Sequence, residues 1–180
     1  MKRKGVLVTA VAAICIASVF VAGGLFLGGV YADESETEIP EEKLRLVSDN
    51  CDTIKTNLKA VQKNDARARV YLGSYYEKIL TKYITALNVK LIESNNSDTA
   101  LIENQNKYAK AKSVFSDDYI AYQKKLEDLI AVDCKSEPKK FYEELTKVRK
   151  KQAVIVQDTA KLSSILVEHK ELVNKLKAKL

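Results

Sequence analysis

The chain has 180 residues and carries 30 Lys and Arg against 24 Asp and Glu, a net charge of +6. Five of its 6 Gly (Gly5, Gly23, Gly24, Gly28 and Gly29) lie near the N-terminus, so residues 33–180 hold a single Gly and both of the 2 Pro. Sheets and catalytic loops consume turn residues, and this scarcity excludes a Rossmann sheet, a P-loop enzyme and a β-sandwich. What remains is an all-α protein.

Lys2, Arg3 and Lys4 precede an apolar run over residues 5–31, and six acids (Asp33, Glu34, Glu36, Glu38, Glu41, Glu42) follow it. By the positive-inside rule the basic end stays cytoplasmic and the rest of the chain lies outside. Residues 1–32 therefore read as a signal sequence or a signal-anchor membrane helix. Val30-Tyr31-Ala32 offers a cleavage site after Ala32. Equally, the run from Gly5 to Val30 is long enough to span a bilayer of about 30 Å. The product is either a single-pass membrane protein or a secreted one. Gly24 and Gly28 form a GxxxG that permits helix pairing. Cys15 reads as an inert apolar residue of that helix.

Residues 33–42 form an acidic tether that runs into a helix start, where Pro40, Glu41 and Glu42 suit the first turn and its dipole. From residue 43 onward there are 27 basic and 18 acidic residues. A seam of 3–4 spacing runs through Leu44, Val47, Cys51, Ile54, Leu58, Val61, Asp65, Ala68, Leu72, Tyr75 and Ile79. It predicts one helix over about 41–94, with Asp65 as the place where a bend would fall. Residues 94–98, Ser-Asn-Asn-Ser-Asp, read as a turn rich in helix caps. A second seam (Leu101, Gln105, Tyr108, Lys112, Phe115, Tyr119, Tyr122, Leu126, Leu129) predicts a helix over about 98–132. Residues 133–138 form the second turn, with Ser136 as a cap and Pro138 in the first helical turn. A third seam (Phe141, Leu145, Val148, Gln152, Ile155, Thr159, Leu162, Leu166, His169, Val173, Leu176, Leu180) predicts a helix over about 137–178. Short turns between long helices predict an elongated antiparallel three-helix bundle or coiled coil over residues 43–180.

Cys51 and Cys134 are the two cysteines outside the apolar run, and in an exported domain they read as a disulfide. If the helices fold about residues 95–97, Cys51 lies opposite the region of residue 142. An extended 132–134 segment is then needed to bring Cys134 back to it.

Chemistry-bearing constellations are scarce. His169 is the one histidine, and Leu166 stands where a Glu-x-x-His di-iron motif needs its Glu. It reads as a polar seam residue that fixes register. No HExxH, Cys-x-x-Cys or phosphate loop is present, so no catalytic residue, metal or cofactor is assigned and the chain reads as a non-enzyme. Seven of the nine tyrosines (Tyr71, Tyr75, Tyr76, Tyr83, Tyr108, Tyr119, Tyr122) read as core aromatics facing one another across two helices, although aromatic platforms also stack bases or sugars. The run Lys147, Arg149, Lys150, Lys151 is the candidate contact for an anionic surface, and specific nucleic-acid recognition is not expected. Asn95-Asn96-Ser97 matches a glycosylation acceptor only in a eukaryotic secretory setting.

The elements Cys51–Lys55, Ala68–Tyr76 (ARVYLGSYY) and Cys134–Pro138 resemble uncharacterised signal-anchored helical envelope proteins of Saccharibacteria-like candidate-phyla bacteria. That resemblance implies a bacterial origin, a surface location and paired cysteines, and implies no activity. Together these readings predict a non-enzymatic scaffold or interaction protein of the cell envelope. It would meet an envelope protein partner, or a second copy, through its helical seams. The alternatives are a binder of anionic envelope polymers or an exported holdase. The latter rests on long basic helical arms that resemble the Skp-type chaperones, although no strand-like segment is present for the β-rich body of those proteins.

Overall fold

The computed structural model describes residues 39–179. The apolar N-terminal segment, Cys15 and most of the acidic tether lie outside the described residues, as does Leu180. Five α-helices follow in order: α1 (Glu41–Asp49), α2 (Cys51–Lys78), α3 (Ala86–Glu93), α4 (Thr99–Ala131) and α5 (Pro138–Lys177), with a π-helical segment over Ile79–Thr85 between α2 and α3. No strand occurs among the described residues. None of these helices is long and apolar enough to cross a membrane.

The arm expected as one helix over 41–94 is instead four segments, and Asp65 lies in the unbroken interior of α2. The interruption sits at Asn50, whose side-chain amide donates to the Leu46 carbonyl at 2.9 Å. That local bond competes with the helical ladder, as Asn side chains commonly do. The π segment has a different cause. The inward positions beyond Leu72 are Tyr76, Leu80, Ile84 and Asn88, each four residues on. An α-helix repeats every 3.6 residues, so a strict spacing of four would rotate off the core. The wider π turn holds all of them on one side.

The turn into α4 is built from local chemistry. Asn95 takes the left-handed conformation with φ 57°. Asn96 N–H donates to the Leu91 carbonyl at 2.8 Å, and Asn95 N–H to that of Ile92 at 3.1 Å. These two bonds are a Schellman closure. Asp98 then caps α4, its carboxylate accepting from Leu101 N–H at 3.2 Å. At the other turn Ser136 does not cap α5: its hydroxyl donates to Asp133 at 2.8 Å, while Pro138 opens the helix. That bond, with the Lys135 amide, holds the Asp133 carboxyl below its usual range.

Helix α4 lies along α5 and also receives α2 and the π segment, while α1 rests against α5. Contacts fix antiparallel directions. Asp65 meets Tyr119 and Tyr122, Glu77 meets Lys112, and Asn88 meets Leu101. On the other side Lys125 pairs with Glu144, and Lys107 with Glu168. The core is the row Leu101, Tyr108, Phe115, Tyr119, Tyr122, Leu126 and Leu129 of α4, closed by Phe141, Val148, Ile155 and Leu162 of α5. The α2 seam residues Ile54, Leu58, Val61 and Leu72 are only partly covered.

Gly73 lies inside α2, and a Cβ added there meets nothing within 4 Å. Glycine in a helix interior costs about 0.5–1 kcal/mol relative to alanine. Gly73→Ala should therefore raise the unfolding free energy by that amount, read in urea as a higher midpoint with an unchanged m-value.

Candidate functional site

Three polar groups and one covalent-distance pair punctuate the apolar core. The Cys51 and Cys134 sulfurs lie at disulfide distance, with Cα atoms 5.5 Å apart. Both cysteines are buried, Cys51 opening α2 and Cys134 standing in the turn before α5. The offset expected between them is absorbed in two places. The π segment packs more residues into a given length of the first arm. Val132 is extended, with ψ 136°, and carries the chain back beyond the end of α4. Neighbouring polar contacts close the same end: Ser48 Oγ donates to the Lys135 carbonyl at 3.2 Å, and Lys135 Nζ pairs with Asp52 at 2.8 Å. Lys43 Nζ sits 5.7 Å above the Tyr142 ring.

Further along, Asp65 of α2 is held between two tyrosines of α4. Tyr122 donates to its carboxylate, and Tyr119 donates to its backbone carbonyl at 3.1 Å. Burial pushes the Asp65 carboxyl above its usual range, opposed by the Tyr122 bond. Burial also lifts the Tyr119 hydroxyl to about 12 and Tyr122 higher still. Asp65 was the one charged residue of its seam, and these partners explain why the seam tolerates it.

The second polar group joins α4 to α5. Asn104 is fully buried, donates to the Ile165 carbonyl at 3.2 Å, and places its Oδ1 3.1 Å from His169 Nδ1. Asn88 of α3 is likewise buried and donates to Gln105 at 2.7 Å and to the Leu101 carbonyl at 3.2 Å. Sequence reasoning placed His169 on the seam and missed both asparagines: Asn104 stands between the polar Glu103 and Gln105, and Asn88 lies beyond the last position of the first seam. Burial depresses the His169 imidazole below its ordinary value. The unfolded chain therefore takes up a proton that the folded chain resists, and stability that is full above about pH 6.5 is lost as pH falls below it. The partly covered Asp65 and Asp158 carboxyls, both raised chiefly by desolvation, act in the opposite sense. Thermal midpoints of the wild type and His169→Gln measured from pH 7.5 to 5 isolate the histidine: the variant should lose less on acidification.

The tyrosines divide. Tyr108, Tyr119 and Tyr122 are buried, and Tyr76 meets Phe115 edge-on with centroids 5.1 Å apart. Tyr71, Tyr75 and Tyr83, expected in the core, instead stand outward at 62%, 49% and 62% exposure. Tyr71 and Tyr75 are nearly parallel, 6.5 Å between centroids. The expected basic run also changes character. Lys147 pairs with Glu144 at 2.7 Å, Lys151 is half-buried, and only Arg149 and Lys150 of the four are exposed and without an ion pair among the described residues.

Among the described residues no three His, Cys, Asp or Glu side chains converge as a metal site would need. A hollow lined by Ile39, Pro40, Glu41, Glu42, Leu44, Arg45 and Pro138 is open to solvent. No protein-family model, curated protein or solved structure matches this chain.

Proposed function

We propose that the chain is a non-enzymatic interaction protein of a bacterial cell envelope, with residues 33–180 outside the cytoplasmic membrane. Residues 1–32 either anchor it or are removed after Ala32. The arms form an elongated antiparallel three-helix bundle, tied at one end by a Cys51–Cys134 bridge, and the bundle works as a scaffold that holds a binding face in a fixed place. The observation that carries this reading is the division of the aromatics. The α4 row is spent on the core, while Tyr71, Tyr75 and Tyr83 of the first arm, with Val70, face solvent. Exposed aromatics on a rigid helix are inexpensive to order on binding, since each has few rotors to freeze.

The test is covalent capture in cells that make the full chain, using an amine-reactive crosslinker. A scaffold gives one or a few discrete adducts, of a partner or a second copy. A broad smear of clients, together with suppressed aggregation of an unfolded substrate, would assign the holdase role instead. Absence of any adduct at saturating crosslinker would contradict the proposal.

A further inference from the structure

Between Thr53 and Ile92 the sequence holds eight basic residues (Lys55, Lys59, Lys63, Arg67, Arg69, Lys78, Lys82, Lys90) and two acids, Asp65 and Glu77. Both acids are engaged: Asp65 accepts from Tyr122, and Glu77 pairs with Lys112 of α4. Lys63, Arg67, Lys78 and Lys82 are all exposed, and none lies within ion-pair distance of an acid among the described residues. Arg67, Tyr71, Tyr75, Lys78 and Lys82 follow one another at intervals of four, four, three and four, so they line one side of α2 and its π extension. That stripe is about 20 Å long at 1.5 Å per residue. It reads cation, ring, ring, cation, cation.

From this juxtaposition we infer that the outer stripe of α2 binds a linear acidic polysaccharide, with sugar rings against Tyr71 and Tyr75 and acid groups on Arg67, Lys78 and Lys82. The inference rests on the reading of the chain as an extracytoplasmic binding protein and names the ligand class of its exposed face. Charge complementarity selects an anion, because the stripe offers unpaired cations and no free carboxylate. Two exposed tyrosines 6.5 Å apart select a ligand that carries apolar ring surface as well as charge, since an exposed aromatic ring attracts the C–H face of a sugar much as it attracts other apolar surface. Guanidinium adds a planar fork that matches a carboxylate. A lipid surface fits less well, because membrane-lying helices bury Leu, Phe or Trp, and within the stripe itself no such residue stands. A single-stranded nucleic acid is normally held in a basic groove, whereas this face is convex.

The probe is alginate, a linear polyuronate, titrated against the full chain in detergent micelles, with neutral dextran, poly-dT and anionic phospholipid micelles as competitors. Binding to alginate should weaken with salt, and dextran should not compete. Tyr71→Ala/Tyr75→Ala should lose about tenfold in affinity, a magnitude typical of stacked rings. Lys78→Ala/Lys82→Ala should weaken binding and flatten its salt dependence. All four side chains are exposed, so folding is not at stake, and unchanged far-UV CD verifies this. Replacing Lys147, Arg149, Lys150 and Lys151 by alanine together should change the affinity by less than twofold. No binding to alginate, a tyrosine pair whose removal costs nothing, or tighter competition by poly-dT or phospholipid overturns the inference. The crosslinking test of the scaffold role reads protein adducts and is independent of every one of these outcomes.

Discussion

Cys134→Ser is expected to lower the stability of the chain by about 4 kcal/mol, or roughly 10 °C in thermal midpoint. The bridge closes a sequence separation of 83 residues, which restricts the unfolded chain far more than the folded one. It also fastens the start of α2 to the turn between α4 and α5, where the first arm otherwise presents only partly covered apolar side chains. Cys51→Ser should cost the same, and the double variant no more than either single one, because the three share one lost constraint. Reductant should bring the wild type to the level of the variants in calorimetry. A wild-type midpoint indifferent to reductant would show that the sulfurs are not bonded.

Phe115→Ala is expected to cost about 3–5 kcal/mol, the range for deleting a buried aromatic ring. Phe115 is 1% exposed and packs edge-on against Tyr76, at 5.1 Å, and Tyr119, at 5.5 Å. It therefore links α2 to the aromatic row of α4, as Asp65 does further along. Its loss removes transfer energy, leaves a cavity among large rigid rings that collapse poorly, and breaks two aromatic pairs worth about 0.5–1.5 kcal/mol each beyond area. Phe115→Leu refills much of the volume and should recover roughly half of the loss. Urea denaturation followed by far-UV CD measures both, and an alanine variant within 1 kcal/mol of wild type would mean that α2 does not rest on this ring.

The all-helical character was legible because glycine and proline are so few and because apolar residues recur at 3–4 spacing. The inward rows of α4 and α5 follow directly from that period: every α4 seam position except Gln105 and Lys112 is buried. The first arm was less legible. Up to Leu72 its apolar residues keep the α-helical period, but Tyr75 and Tyr76 are both aromatic, and spacing alone chose the wrong one. The row passes through Tyr76, and the spacing of four that follows required a π segment that no propensity signals. The break at Asn50 depends on an amide bonding back to Leu46, and Ser48-Asp49-Asn50 was its only trace in the sequence.

The polar core shows the same limit. A buried asparagine is recognised by what it faces, and Asn104 faces a carbonyl and a histidine some 60 residues away in sequence, at separations of 61 and 65. The charged stripe of α2 was hidden differently. Local density drew the eye to residues 147–151, whereas on α2 the cations are spread over several turns and only helical geometry aligns them. Density misled again in ignoring acids: Glu144 neutralises the first lysine of the 147–151 run, while the two acids between Thr53 and Ile92, Asp65 and Glu77, are engaged with α4.

Thiol labelling of intact cells tests the extracytoplasmic placement of residues 33–180, on which the proposed role depends. Cells making the full chain are treated with a membrane-impermeant maleimide, without and with prior reduction by an impermeant phosphine, and Cys51 and Cys134 are read by peptide mass. In unbroken cells no label is expected before reduction, and label on both cysteines after it. Label on either cysteine before reduction would contradict the bridge. Label that appears only once the cells are lysed would contradict the location, and with it the proposed role.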